Sequence, residues 1–398
     1  MDTSALYLKK HHDQRLRGGH CWIYSNEIDI QRSPLKAFQP GDAVEIFDSS
    51  EKWLGYGYIN PNTLLTARVV SRDRDHPLSR ALLVHRINIA LGLRQRLYPT
   101  PHYRLLFGEG DGLPGLVVDR FEDLLVVQIT TVGMERMREE IIAALDKTLH
   151  PSAILLRNDT PARAMEGLER SVEVALGTVP DQVTVQEHGL YFQLSPHSGQ
   201  KTGWFFDQAA NRQRMHRFAP GKRVLDLFCY LGAWGIQAAA QGASEVLCVD
   251  SSASALEGVV RNAHNNGVAE QVQTLQGDAF EVLKELRGER RKFDLVLVDP
   301  PAFIKKRKDL RQGTIAYRRL NQLAMQLVER DGILISSSCS HHLEEAALLG
   351  ECQQAARHTD RFAQLLERGQ QGPDHPIHPA IPESAYLKSL TLRVLGRM

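Results

Sequence analysis

The sequence predicts an α/β protein whose C-terminal half is a Rossmann-like, doubly wound parallel sheet. From about residue 205, short apolar runs alternate with segments of helical spacing. Strands buried on both faces of a parallel sheet need apolar residues at nearly every position, which these runs supply. Polar residues follow several runs, and ligands of such sheets bind at the carboxyl ends of the strands. The predicted strands are 222–227, 245–249, 272–276, 293–298, 332–337 and 387–394.

The chain before this sheet predicts smaller folding regions. Its first part alternates apolar and polar positions between glycine and Asn-Pro turns, which predicts a small β-rich barrel or meander. Apolar helical spacing at 76–98 and 134–149 then combines with further strand-like runs. A hairpin is expected around 187–190. The predicted domains are 1–72, a β-rich barrel; 73–184, an α+β middle domain; 185–203, a β-hairpin linker; and 204–398, the sheet domain.

Composition argues against several classes of protein. The 398 residues are 42% hydrophobic and 24% charged, and no apolar stretch approaches the ~18–20 residues that cross a membrane. The N-terminus lacks the apolar core of a secretory signal, so a cytoplasmic protein is expected. The five cysteines show no CxxC spacing, which argues against a zinc site or a disulfide framework. His341 and His342 lack further ligands at zinc spacing, so no metal is predicted.

The distribution of charge is more informative than its total. The net charge is +1, yet residues 1–104 hold 15 Lys and Arg against 10 Asp and Glu. A second basic run follows the Asp-Pro-Pro motif of residues 299–301. Such runs are most often solvated surface, but at the rim of a crevice a basic run is suited to holding nucleic-acid phosphates. The residues predicted to contact such phosphates are Lys305, Lys306, Arg307 and Lys308.

Residues 224–235 predict a ligand-binding turn between the first strand of the sheet and a helix. Small residues there let the backbone approach a ligand closely, although the spacing differs from the GxGxxG of dinucleotide-binding proteins. Asp250 ends the next strand, where a carboxylate is suited to two ribose hydroxyls. Asp278 follows the third strand and is suited either to an adenine amino group or to capping a helix. Together with Asp226, these acids predict a nucleotide-like site.

Asp299 and Cys339 follow the fourth and fifth predicted strands, so an acid and a thiol are expected at the mouth of one crevice. A thiolate is a strong nucleophile, and this pair is suited to covalent chemistry on a nucleobase. The alternative for Cys339 is a small buried core residue, the most frequent state of a free cysteine. Ser338 and Ser340 make the segment polar for a core, which favours the nucleophile.

Motifs spread over nearly the whole chain carry a family resemblance. They are residues 20–28, 111–120, 199–208, 226–230, 299–303, 338–340 and 386–388. The sequence resembles the class I S-adenosylmethionine-dependent methyltransferases. It is more closely similar to the RlmI-type large-subunit (23S) rRNA (cytosine-5)-methyltransferases, which carry an N-terminal PUA domain. Three departures are Cys21 where proline is usual, Ala209-Ala210 where a charged pair is common, and Ala302 where the family often has a polar residue.

The resemblance implies methyl transfer from S-adenosylmethionine to carbon 5 of a cytosine in 23S rRNA or a large-subunit precursor. Cys339 would add to carbon 6 of the ring, Asp299 would hold the N3/N4 edge, and the PUA-like residues 1–72 would grip structured RNA. The exact nucleotide, the base that removes the carbon 5 proton and a homodimer stay open. The implied cofactor contacts are Lys201, Gln208, Asp226, Phe228, Tyr230, Gly232, Asp250, Asp278 and Asp299.

Two other functions stay open. An acid-Pro-Pro-aromatic loop also serves enzymes that methylate amino groups of guanine or adenine, and such enzymes need no thiol. A non-catalytic RNA-binding factor of ribosome assembly would keep the fold without turnover, which the set of strand-end acids disfavours. Full turnover without Cys339 would favour the first alternative, and failure to bind S-adenosylmethionine would favour the second.

Overall fold

The computed structural model describes residues 4–199 and 202–397, and its contacts divide the chain into two units. Unit 1 comprises residues 1–183, 195–204 and 373–384. Unit 2 comprises 184–194, 205–372 and 385–398. Residues 195–204 and 373–384 therefore belong to the N-terminal unit, although they come later in the chain than the rest of it.

The N-terminal part of unit 1 is a five-stranded sheet with one short helix. Its elements are β1 (Ser4–Tyr7), α1 (Gln14–Arg17), β2 (Trp22–Tyr24), β3 (Asp42–Phe47), β4 (Trp53–Ile59) and β5 (Leu65–Ser71). The strand order is β1-β3-β4-β5-β2, with β1 parallel to β3 and the other pairs antiparallel. Leu6, Ile23, Val44 and Ile46 are fully buried on one face, as a period of two residues requires.

The rest of unit 1 contains a second five-stranded sheet, in the order β10-β9-β8-β7-β6. Its elements are α2 (Arg80–Leu97), β6 (His102–Phe107), β7 (Leu116–Phe121), β8 (Leu124–Ile129), α3 (Val132–Arg136), α4 (Arg138–Leu149), β9 (Ala153–Arg157), α5 (Ala162–Met165) and β10 (Val172–Gly177). The helix predicted over 134–149 is divided at Met137, because the backbone of that buried residue (φ −94°, ψ 10°) lies outside the helical region.

Unit 2 is built on a seven-stranded sheet with helices between its strands. Its elements are β11 (Val183–Glu187), β12 (Leu190–Leu194), α6 (Ala209–Met215), β13 (Arg223–Leu227), α7 (Ala233–Ala240), β14 (Glu245–Asp250), α8 (Ala253–Asn265), β15 (Val272–Gln276), α9 (Ala279–Gly288), β16 (Phe293–Val298), α10 (Leu310–Leu327), β17 (Val328–Ser338), α11 (Glu345–His358), β18 (Phe362–Gly369) and β19 (Lys388–Leu395). Val183 is grouped with unit 1, at the point where the chain passes between the units.

The order of the large sheet is β15-β14-β13-β16-β17-β19-β18. The first five strands are parallel, and β19 runs antiparallel to both of its neighbours. The direction of winding reverses between β13 and β16, so the carboxyl ends of these strands border the crevice in which such sheets bind ligands. The predicted α/β fold and its six strands are confirmed.

The hairpin β11-β12 is fastened to α8 of the same unit. The side-chain oxygen of Asn262 accepts a hydrogen bond from the Gln193 N–H (2.8 Å), and that of Asn266 accepts one from the Tyr191 N–H (2.9 Å). Residues 185–194, the first part of the segment predicted as a linker, therefore belong to the sheet unit.

None of the helices in the described part of the chain combines the length and the apolarity that crossing a membrane requires. Within the same residues, no three His, Cys, Asp or Glu side chains gather as a metal site would need.

Candidate active site at the carboxyl ends of the central strands

The turn that follows β13 has an unusual backbone. Phe228 and Tyr230 adopt φ values of 61° and 50°, and Gly232 adopts 81°. Left-handed conformations are costly for residues other than glycine, and they cluster at ligand-binding sites. The Tyr230 N–H donates to Asp250 Oδ2 (2.9 Å), and the Tyr230 ring meets Phe205 edge-on at 5.6 Å. These contacts hold open a turn whose backbone a ligand can approach.

Asp226 is fully buried next to this turn. Its Oδ2 accepts the Gly235 N–H (2.9 Å), while its Oδ1 has no hydrogen-bond partner among the described residues. Burial raises the pKa of Asp226 to about 8, against the lowering effect of the Gly235 bond. A Cβ on Gly235 would lie 2.6 Å from Cys248 Sγ and 3.0 Å from Asp226 Oδ2, so this helix start requires glycine. The unpartnered oxygen marks a polar contact that the protein alone leaves unfilled.

Asp250 and Asp278 end the next two strands and have different surroundings. Asp250 orders two loops, because its Oδ2 holds Tyr230 and its Oδ1 accepts the Ser252 N–H (2.9 Å). Asp278 is exposed and caps α9, since its Oδ1 accepts the N–H groups of Phe280 (2.9 Å) and Glu281 (3.2 Å). The helix-cap reading of Asp278 is therefore correct, and its contact with adenine stays a prediction for the other carboxylate oxygen.

Asp299 is held from two sides at the end of β16. The Gln208 side-chain amide donates to its Oδ1 (2.9 Å), and the Trp234 indole N–H donates to its Oδ2 (3.1 Å). Burial raises the pKa of Asp299, and both of these bonds oppose that rise. Gln208 is itself fixed by Asn211, whose Nδ2 donates to its Oε1 (2.7 Å). The observed role of Gln208 is thus to orient Asp299, and its cofactor contact stays a prediction.

Cys339 lies just past the end of β17, the parallel neighbour of β16. It is partly exposed, whereas the other four cysteines are buried. Asp299 and Cys339 therefore leave adjacent strands at the same edge of the sheet, as the sequence predicts, and Cys339 is not a packed core residue.

A buried hydroxyl network ties the two loops together. Ser338 Oγ donates to the Tyr317 hydroxyl (2.8 Å), which is also bonded to Ser340 Oγ (2.9 Å). Ser340 Oγ accepts the N–H of Ile304 (3.2 Å), which belongs to the loop after Asp299. The loop that carries Cys339 and the loop that follows Asp299 are thereby linked through one shared set of hydrogen bonds.

The remaining predicted site residues lie outside this network. The side chains of residues 305–308 are exposed, and none of the four forms an ion pair with another described residue. Such cations are available to an external anion. Lys201 lies outside the described residues, so its predicted cofactor contact stays a prediction.

Sequence reasoning did not assign roles to Trp234, Tyr317 or Lys388. Trp234 stands within the turn motif, and Lys388 within the Tyr-Leu-Lys motif, so both were within reach of a motif-based search. Tyr317 comes from α10, and no local pattern connects it to the serines of β17.

Comparison with known proteins defines the class. The sequence model of the S-adenosylmethionine-dependent methyltransferases matches residues 164–393, and that of the PUA-like domains matches residues 6–72. The chain belongs to the S-adenosylmethionine-dependent methyltransferases, and a PUA-like domain precedes its catalytic region.

Curated relatives narrow the class to the family of ribosomal RNA large subunit methyltransferase I. The relative from Erwinia tasmaniensis is 35% identical over 99% of this chain and 100% of its own length. That from Aeromonas hydrophila is 37% identical over 98% and 99%.

Solved structures support the same fold. A SAM-dependent methyltransferase from Streptococcus mutans superposes with a TM-score of 0.83 at 19% identity, covering 98% of this chain and all of its own. A second methyltransferase structure, complexed with S-adenosylhomocysteine, gives a TM-score of 0.84 at 19% identity with the same coverage. S-adenosylmethionine is the cofactor of the family. The unpartnered Asp226 oxygen, the left-handed turn and Asp250 fit a nucleoside-bearing group of this kind.

Proposed function

We propose that this protein methylates carbon 5 of a cytosine in 23S rRNA through a covalent bond between Cys339 and carbon 6. The observation that carries the proposal is the placement of a partly exposed thiol and a held carboxyl at the ends of adjacent strands. S-adenosylmethionine supplies an electrophilic methyl group when bound. The names of the relatives support large-subunit rRNA as the substrate class.

Cys339 makes an unreactive ring carbon nucleophilic. Its thiolate forms a bond to carbon 6, and the electron pair of the C5–C6 double bond becomes available at carbon 5. After carbon 5 has gained the methyl group, a base removes its proton and the Sγ–C6 bond breaks, which restores the double bond. The covalent bond between Cys339 and the ring is thus temporary, and the cysteine is regenerated in each cycle.

Asp299 is suited to hold the opposite edge of the ring. Its raised pKa favours a carboxyl that shares a proton with N3 as negative charge develops in the attacked ring. The indole of Trp234 and the amide of Gln208 fix both carboxyl oxygens, so the acid is oriented before the base arrives. Preorganisation of this kind lowers the barrier because no rearrangement is needed during the reaction.

RNA must be held while the target base leaves its stack, which costs a few kcal/mol. The unpaired cations at residues 305–308 follow the Asp-Pro-Pro loop directly, and residues 6–72 match the PUA-like domain. We assign both to RNA binding, with the reaction taking place in the cytoplasm. A homodimer stays a prediction.

The decisive experiment uses RNA with 5-fluorocytosine at the target position. Fluorine cannot leave as a proton does, so the wild-type protein is expected to remain attached to the RNA through Cys339. The Cys339→Ala protein is expected to bind S-adenosylmethionine and to form no adduct, whereas the matched Cys352→Ala protein is expected to be trapped as the wild type is. An adduct that persists without Cys339 would move the nucleophile elsewhere.

The same variant distinguishes the main alternative. Normal methylation by Cys339→Ala, with no adduct in the wild type, would overturn carbon 5 as the target and support direct methylation of an amino group. Mapping the modified atom by mass spectrometry of digested RNA gives an independent answer.

A further inference from the structure

Lys388 is a buried cation that contacts the residues on either side of Cys339. It begins β19, where it pairs in register with Ser338, the residue before the cysteine. Its Nζ donates to the carbonyl oxygen of Ser340, the residue after the cysteine, at 2.6 Å, and to that of Tyr386 at 2.7 Å. The side chain thus spans the short loop that presents the thiol.

This lysine has no carboxylate partner in the described part of the chain, where no Asp or Glu oxygen lies within 4.0 Å of its Nζ. Glu345 acts on it only as a more distant charge and is paired with Arg368. Burying an ammonium without an anion is costly, so such a residue is retained where a nearby group can supply negative charge.

Cys339 is the group that can supply that charge. Burial lowers the pKa of Lys388 to about 8, and the interaction with Cys339 acts in the opposite direction. Attraction between two charges is reciprocal, so an ammonium stabilised by a thiolate stabilises that thiolate equally. The other titratable groups around the pair are Glu345, Tyr317 beside Cys339, and His341, whose ring stacks on Tyr386.

We propose that Lys388 is a positioning residue whose ammonium holds Cys339 as a thiolate ready to attack the base. The inference rests on the proposed function, because it assigns a partner to the same nucleophile. In forming the ion pair, Sγ loses its proton to solvent water and Nζ keeps its three hydrogens. When Sγ bonds to carbon 6 its negative charge passes into the ring, and no bond to Nζ forms or breaks.

The test measures the pH dependence of Cys339 alkylation by iodoacetamide, with the modified peptide quantified by mass spectrometry. Thiolate reacts and thiol does not, so the midpoint of the profile reports the thiol pKa. In Lys388→Met the midpoint is expected to rise by about one pH unit or more, which is about a tenfold loss of thiolate below the midpoint. Lys388→Arg keeps the positive charge, so its midpoint is expected to stay near that of the wild type.

Two further variants keep the test decisive. Lys388→Gln is neutral but can still donate to the same carbonyls, so it replaces Lys388→Met if that variant does not fold. Lys292→Met is the matched control, because Lys292 donates to the Gln326 carbonyl at the opposite, amino-terminal edge of the sheet. Its alkylation profile is expected to equal that of the wild type.

The outcomes separate this inference from the proposed function. An unchanged midpoint in folded Lys388→Met and Lys388→Gln overturns the inference, even if turnover falls, because a purely structural lysine would leave the thiol unaffected. A raised midpoint together with a lower kcat at neutral pH that recovers as pH increases supports it. Full methylation by Cys339→Ala would instead refute the covalent mechanism, whatever the alkylation profile shows.

Discussion

At the scale of single residues, two carboxyl groups of the site, those of Asp226 and Asp299, differ from ordinary surface acids. Asp226 and Asp299 both have raised pKa values because burial disfavours their charged forms. They differ in what holds them, since Asp299 receives two side-chain donors and Asp226 keeps one oxygen with no partner among the described residues. These surroundings agree with the roles proposed above, in which Asp299 holds the substrate and Asp226 contacts the cofactor.

The raised pKa of Asp226 predicts a pH effect on stability. Its native carboxyl holds a proton up to about pH 8, whereas the unfolded group releases it near 3.8. The free energy of unfolding therefore falls as pH rises between these values, by at most about 1.4 kcal/mol per pH unit for this group. In Asp226→Asn this contribution is absent, so the variant is expected to gain stability relative to the wild type as pH rises from 5 to 8.

Urea unfolding without cofactor at a series of pH values measures this effect. The relevant quantity is the difference in slope between the two proteins, because a loss of packing would shift both ends of the series equally. Parallel curves would show that Asp226 is ionised in the native protein throughout.

Asp250 predicts an effect on cofactor affinity. Loss of a charge-assisted hydrogen bond to a ribose costs roughly 1.5–3 kcal/mol, so Asp250→Ala is expected to weaken S-adenosylmethionine binding about ten- to a hundredfold. Calorimetric titration measures it, with exposed Asp181 changed to Ala as the control. Wild-type affinity in a folded Asp250→Ala protein would contradict the prediction that Asp250 binds the ribose of the cofactor.

At the scale of secondary-structure elements, the central strands and the helices between them were predictable, and the edge strand β18 was not. β13, β14 and β16 were placed within a residue or two, because doubly covered strands are read as largely apolar runs. The edge strand β15 was placed equally well, although none of its residues is buried. β18 was not predicted, since this edge strand alternates exposed and half-buried positions and resembles a polar surface segment. The strand-end acids and the thiol followed from the same runs.

The partners of those groups could not be predicted in the same way. Gln208 comes from a segment before β13, Trp234 from α7 and Tyr317 from α10, and each reaches the site only after the sheet has formed. No local periodicity encodes which hydroxyl or amide will meet a given carboxyl. Tertiary packing decides those pairs, so the sequence predicted which groups lie at the strand ends but not which side chains orient them.

The contact between α10 and the end of β17 predicts the effect of a single hydroxyl. Tyr317→Phe removes the group that bonds both Ser338 and Ser340, leaving buried hydroxyls with fewer partners. It is expected to destabilise the protein by about 1–3 kcal/mol. Because these bonds position the loop of Cys339, kcat is expected to fall while S-adenosylmethionine affinity stays near that of the wild type.

Steady-state kinetics and calorimetry on the same preparations test this separation. Tyr191→Phe, which changes an exposed tyrosine of unit 2, is the control and is expected to resemble the wild type. Equal losses in turnover and cofactor affinity would indicate general disruption of the unit instead of a positioning role.

At the scale of the whole molecule, charge distribution predicts how RNA binding responds to salt. Replacing the four basic residues at 305–308 with Gln is expected to weaken RNA binding and to flatten the dependence of log K on log salt. The matched control changes four exposed cations near the amino-terminal edge of the large sheet, Lys222, Arg287, Arg290 and Arg330. Filter binding measures the slope of log K against log salt. Equal slopes for the two quadruple variants would show that residues 305–308 are solvated surface and do not contact RNA.

The path of the chain between the two units has a consequence for synthesis. The backbone passes from one unit to the other five times, and unit 1 is completed only by residues 373–384. Within that unit, the Asp374 carbonyl accepts a bond from the buried Arg94 guanidinium (2.7 Å), and the Asp374 carboxylate accepts the Arg104 N–H (2.9 Å). A nascent chain emerging from the ribosome cannot make these bonds until almost all of the protein has been translated. The N-terminal unit therefore stays incompletely folded during most of translation. A gene shortened after residue 183 would encode a fragment that lacks the hydrogen bonds made by Asp374.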